Sequence, residues 1–322
     1  MSQRTKNIVL LVLLGFLIIS SITLSLTSTT TTNTIENKEQ FAVLDTSQID
    51  KIKIVSNKEK IELKKTEGIW MLNDKYKAEQ NIMKVLLSIL KDVQVVRNVP
   101  KSQEEIIINQ LKDRGFIVEI SGNGKLMNTF YSAGNENKTV SYMMNVEDDQ
   151  SYIVNIPGYE SYVAGIFEIS TNDWRDRTIL STNWRTLQKL SIDYSQFPEY
   201  NVTIKFDFNF LTIEGINNLD TARMMAYIDE FNFLQADRYL DKGHNKQYDS
   251  LLTTPKTVTI SIEDINADNS KTIDFFPLLS NDPMMLGYVR EDNQNVLFEA
   301  KRIQDLFAVK SDFEANPNDH SD

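Results

Sequence analysis

The sequence predicts an α+β chain: an N-terminal transmembrane helix followed by two tandem duplicated units, each an antiparallel sheet with one covering helix. Three observations carry that expectation. An uninterrupted apolar run, Ile8 to Leu26, follows Arg4 and Lys6. Short alternating segments bounded by turn residues then read as strands. Finally, the same order of elements recurs in the second half at offsets of roughly 140 residues, far above the ~20–50 of a solenoid repeat.

The apolar run comes first. At ~1.5 Å per residue it reaches about 28 Å as a helix, close to the ~30 Å hydrocarbon core of a bilayer. It exceeds the ~7–15 residues of a secretory h-region and has no Ala-x-Ala site behind it, which favours an uncleaved anchor over a signal peptide. With both positive charges on its N-terminal side, the positive-inside rule places residues 1–26 as a cytoplasmic start and membrane anchor. Residues 27–40, opening with TSTTTTNT, form a Thr-rich linker.

The first unit is expected over 41–172. KIKIV (51–55) and KIELK (60–64) alternate apolar and polar residues, and a turn at Thr66, Glu67 and Gly68 leads into IWML (69–72). AEQNIMKVLLSILKDV places Ile82, Val85, Leu86, Ile89, Leu90 and Val93 at helical spacing, one apolar face to lay on a sheet. FIVEI (116–120), NTFYS (128–132), SYMMN (141–145) and SYIVNI (151–156) then suggest a meander. Residues 173–186 make the join. The second unit, 187–312, repeats the pattern with LSIDY, NVTIKF, FLTI, a helix over DTARMMAYIDEFNFLQA (220–236), and VTISI, TIDFF, LGYV and VLFEA. Residues 313–322 are an acidic tail.

Composition is that of a globular protein, 41% hydrophobic and 25% charged. The formal net charge is −11, and leaving out Arg4 and Lys6 makes the remainder more negative still. That sign opposes nucleic acid as a partner. There is no cysteine, which removes disulfides, thiolate metal sites, thiol catalysis and attachment through a lipidated cysteine.

No constellation of catalytic type emerges, and neither a cofactor nor a metal is expected. The two histidines, His244 and His320, stand far apart, against zinc ligation and against a Ser-His-Asp hydrolase, for which no Gly-x-Ser-x-Gly elbow exists either. Glu147, Asp148 and Asp149 fall between two strands and read as a solvated turn. DINADNS (264–270) lacks the ligand order of a calcium loop. No Gly-rich phosphate cradle is present. The most distinctive stretch is Trp174-Arg175-Asp176-Arg177. Its composition suits an interface hot spot, while its position at the join favours an inter-repeat clasp. Tyr142, Tyr152, Tyr159 and Tyr162 form a candidate aromatic surface of the kind that stacks on sugars.

The first half resembles the bacterial family named domain of unknown function 4340. The resemblance is carried by Asp45-Thr46, Ile49-Asp50-Lys51-Ile52, Gly68-x-Trp70-x-Leu72-Asn73, Tyr76-Lys77-Ala78 and Val99-Pro100. It continues through Tyr152-Ile153-Val154, Ile156-Pro157-Gly158 and Trp174-Arg175-Asp176-Arg177. It implies a single-span envelope protein of a Gram-negative bacterium, often encoded beside an ABC transporter of the gliding-motility type. The expectation is therefore a non-enzymatic protein of the inner membrane, N-terminus cytoplasmic and C-terminal domain periplasmic, that binds ABC permease, ATPase or other envelope subunits. The alternatives are a periplasmic module for a glycan or peptidoglycan fragment and, more weakly, a carboxylate-based hydrolase.

Overall fold

The computed structural model describes residues 37–159, 162–241, 243 and 245–315. The expected anchor, Ile8 to Leu26, most of the linker, and both histidines lie outside the described residues. In chain order the first elements are β1 (Lys51–Val55), β2 (Lys60–Thr66), β3 (Ile69–Leu72), β4 (Tyr76–Lys77), α1 (Gln80–Asp92), β5 (Gln94–Asn98) and α2 (Lys101–Arg114). There follow β6 (Phe116–Gly122), β7 (Lys125–Gly134), β8 (Ser141–Asn145), β9 (Ser151–Asn155), α3 (Thr171–Trp174) and β10 (Thr178–Leu180). The remainder runs β11 (Leu187–Tyr194), β12 (Val202–Asp207), β13 (Phe210–Ile213), α4 (Thr221–Asp229), β14 (Leu234–Gln235), β15 (Arg238–Leu240) and α5 (Lys246–Leu251). It ends with β16 (Val258–Asp264), β17 (Lys271–Phe275), β18 (Met284–Val289), β19 (Gln294–Glu299) and α6 (Ala300–Ile303).

These elements divide into two units. The first comprises residues up to Gly68 and Met83–Ile169, the second Ile69–Ile82 and Ser170 onward. Within the first, strands lie in the order β2-β1-β6-β7-β8-β9-β5. The alternation in KIKIV sets the register: Ile52 pairs with Leu63 and Ile120, Ile54 with Ile61 and Val118, and all six are buried. α1 buries Met83, Leu86 and Leu90 at helical spacing. Phe41, Phe130 and Phe167 meet edge to face, with centroids 5.6 and 6.0 Å apart. Alternation along β7 turns Ala133 to the other face, where Ile107 and Leu111 of α2 cover it together with Tyr142 and Met144.

The second unit threads its larger sheet as β13-β12-β11-β16-β17-β18-β19-β15. From β12 to β15 this is, strand for strand, the order of the first unit. Its core joins Leu190, Ile192 and Ile204 to Met224 and Ile228 of α4 and to Phe231, Phe275 and Phe298. A smaller core on the other face packs Tyr248 and Leu251 of α5 on Phe276, Leu286 and Leu297.

The predicted fold class requires correction. The described chain is mostly antiparallel sheet with few helices, and each unit carries a further helix on its other face, α2 or α5, where one covering helix was expected. Among the described residues no helix is long and apolar enough to cross a membrane. The helix expected over 220–236 stops at Asp229. Phe233 takes φ 83°, which no helix continues, and Leu234 and Gln235 pair with Leu180 and Thr178 instead.

Candidate functional site

The Trp174 stretch is a structural clasp of the second unit. Ser170 caps α3 by accepting from the Asp173 N–H, and the helix ends in Trp174, which is fully buried. The next residue, Arg175, lies between two tyrosine rings, with Cζ 3.7 Å from the Tyr76 centroid and 3.2 Å from that of Tyr239. Stacking of this kind supplies about 0.5–2 kcal/mol per ring as desolvation increases. Its Nη1 donates to Gln294 Oε1 at 2.9 Å, and burial lowers its pKa. Backbone bonds tie the same stretch to the β4 segment, Glu79 N to Trp174 O at 2.8 Å and Asp176 N to Lys77 O at 2.9 Å. Tyr239 Oη donates to the Asp176 carbonyl, and exposed Arg177 donates to that of Asp237.

The four tyrosines part company. Tyr142 is buried beneath α2, and Tyr152 is half-buried edge-on to Phe41. Tyr159 and Tyr162 do come together, lining a cavity of about 510 Å³ in the first unit with Lys138, Thr139 and Ile153. Tyr159 is 72% exposed there. Tyr162 donates a short hydrogen bond to Glu168, which also pairs with Lys138 at 2.9 Å. Burial and that carboxylate together push the phenol well above its ordinary pKa. The ring packs so closely over Gly134 that a Cβ there would meet Tyr162 Oη at 1.7 Å. A larger residue there would require the Tyr162 ring to move.

Sequence reasoning missed two places, both in the second unit. At the turn from β12 to β13, Phe206, Phe208 and Phe210 are 48, 94 and 41% exposed. Phe208 sits at φ 51°, and Asn209 N closes back on Asp207 O at 2.7 Å. Trp184 and Arg185, the guanidinium 4.5 Å over the indole, line a cavity of about 310 Å³ with Phe206 and Phe210. The signal was present in FDFNF, with aromatics where a turn ordinarily has Gly, Asn or Asp.

The second missed place is a cleft of about 540 Å³ bounded by β15, β17, β18 and β19. Asp274 on its wall accepts from Lys256, Thr259 and, through both oxygens, Arg290. Burial alone would raise that carboxyl, but these donors outweigh it and hold its pKa at about 2.

The other candidates are ordinary turns. Asp148 caps Gln150 N, and Asp149 pairs with Lys112. Asp264 accepts from Thr182 and Thr186 and binds its own loop at Asn266. Among the described residues no group of three His, Cys, Asp or Glu could hold a metal.

Comparison with known proteins gives one match. A family described as Domain of unknown function (DUF4340) matches residues 70–251, more than half of the chain. No curated protein and no solved structure matches.

Proposed function

The chain belongs to that family, and on this premise we propose that it is a non-enzymatic accessory of an ABC-type transport or export assembly. In this reading the Ile8 to Leu26 run keeps it at the inner membrane with its N-terminus cytoplasmic, and the two units work in the periplasm. The family resemblance supplies the class of partner. One observation supports a docking role above others: the aromatic tip at Phe208. An exposed phenylalanine at positive φ costs about 1–2 kcal/mol of backbone strain and leaves its ring in water. A partner surface that buries the ring returns about 1.5–3 kcal/mol. Phe206, Phe210, Trp184 and Arg185 around it have the composition of an interface hot spot.

A photo-crosslinking amino acid at position 208, activated in intact cells, tests this reading. The expected products are polytopic permease or ATPase subunits, absent when the crosslinker stands at Ile106, another exposed site, on α2. Capture of no transporter subunit, or of the same products from both positions, refutes it.

The cavity at Tyr159 and Tyr162 favours a second reading, a glycan or peptidoglycan-fragment module, because an exposed ring flanked by Lys138 and Thr139 suits a sugar face. It predicts that Tyr159→Ala releases the protein from purified peptidoglycan. A carboxylate-based hydrolase is less well supported. The carboxyl groups that the fold perturbs, Asp45, Asp274 and Asp282, all lie below the ordinary range, opposite to what a general acid requires.

A further inference from the structure

We infer that the second unit binds an uncharged saccharide in the cleft beside β19, a site that shares no residue with either surface discussed under the proposed function. The cleft's volume, about 540 Å³, falls within the ~300–1,000 Å³ of small-molecule sites. Asn295 lies on its wall, only 8% exposed, and the side-chain Oδ1 is buried without a hydrogen-bond partner. Register places this residue opposite Tyr288 on one neighbouring strand and Leu240 on the other, so its amide projects between their side chains. An unpaired buried acceptor costs about 1–3 kcal/mol, which leucine, of nearly the same shape, would avoid. Solvent does not reach Oδ1, so binding requires the amide to turn toward the cleft, where a ligand hydroxyl donating to Oδ1 removes that cost.

Charge and shape narrow the class of ligand. Asp274 is paired with both Lys256 and Arg290, which leaves it no net negative charge to hold a cation. Exposed Asp241 makes the rim negative, against an anionic ligand. The walls are two-faced: Leu240, Leu252 and Phe276 are apolar, whereas Asn293, Gln294 and Asn295 present amides. A sugar ring matches that division, with C–H groups on its faces and hydroxyls at its edge. The other two amides are already fixed in place. Tyr288 Oη donates to Asn293 at 2.9 Å, and the stacked Arg175 donates to Gln294 at 2.9 Å, so little ordering remains to oppose binding.

The test is calorimetric titration of the full chain, held in a detergent without a sugar headgroup, with chitobiose, maltose and the anionic N-acetylneuraminate. Saturable heat is expected with at least one neutral disaccharide and none with the anionic sugar. Asn295→Leu is expected to weaken binding at least tenfold while raising the Tm of the ligand-free protein. Leu252→Trp, which enlarges a side chain lining the cleft and leaves residue 295 unchanged, should also abolish binding, and Tyr159→Ala should leave it intact. Absence of saturable heat with both disaccharides, or equal affinity in wild type and both cleft variants, overturns the proposal. Loss of binding in Tyr159→Ala alone would also overturn it, by placing the saccharide in the first unit.

Discussion

At matching places in their strand order the two units turn with different backbone and opposite chemistry. The turn after β2 uses Glu67 at φ 52° and Gly68 at φ 86°, a polar residue and the one residue that adopts this backbone without steric cost. The turn after β12 uses Phe208 at φ 51° and Asn209. Each turn holds one non-glycine residue at positive φ, polar Glu67 in the first unit and apolar Phe208 in the second. Glu67 shows that a polar residue can occupy this positive-φ position, so the backbone alone does not call for the exposed ring of Phe208. Inside the sheets the contrast runs the other way. Val118 pairs with Phe130 in the first unit and Ile260 with Ile273 in the second. The adjoining pair is Ile117 and Tyr131 in one, Thr259 and Asp274 in the other. An apolar and phenolic pair thus occupies the position of an ionic cluster.

The largest effect is expected where the second unit has no counterpart to spare. Trp174 is completely buried, and Trp174→Ala should cost about 3–5 kcal/mol. Hydrogen exchange locates the damage: β11, β12 and β19 should lose protection by several orders of magnitude, while β6 and β7 keep theirs. Uniform loss across both units would mean that they unfold together, and the contrast drawn here would be one of detail only.

The next effect is smaller and depends on pH. Asp274, at about pKa 2 in the fold against an ordinary 3.8, contributes stability that is present above its unfolded value and is lost as pH falls through the folded one. Asp274→Asn should therefore destabilise the protein by about 2 kcal/mol at pH 7, a figure kept low because Arg290 and Lys256 are partly exposed. The difference from wild type should shrink between about pH 4 and pH 2. Urea denaturation at a series of pH values checks both the size and the window. A difference that does not change across that window would show that the ion cluster does not stabilise the second unit.

Much of this architecture was legible in the chain. β1, β3, β8 and β13 are seen where alternation and turn residues place them. α2 escaped notice because only Ile107 and Leu111 are buried on it, too few to register as periodicity, and its Ile106–Ile108 run suggests a strand. The helix over 220–236 read too long because apolar spacing persists through Phe231 and Leu234, although both are buried in non-helical backbone. Proximity in sequence misled the tyrosine reading, since strand alternation and α2 bury Tyr142 while Tyr159 stands free. The clasp needed long-range partners: nothing around Arg175 announces Tyr76 and Tyr239. Asn295 was also hidden, because its burial depends on what two neighbouring strands place beside it. FDFNF was the exception, a readable signal left unread.

The smallest predicted effect separates folding from function most sharply. Phe208→Gly relieves the positive-φ strain and removes an exposed ring, so the variant should gain about 1 kcal/mol in equilibrium denaturation despite the added chain entropy of glycine. Its turn would then carry no apolar tip, as the Glu67–Gly68 turn of the first unit carries none. The same variant should lose transporter crosslinks from a probe moved to position 206, because the partner's anchor is gone. Stability and docking are thus expected to move in opposite directions at one residue. A variant less stable than wild type would show that the ring serves the fold, and the two turns would then differ in sequence without differing in purpose.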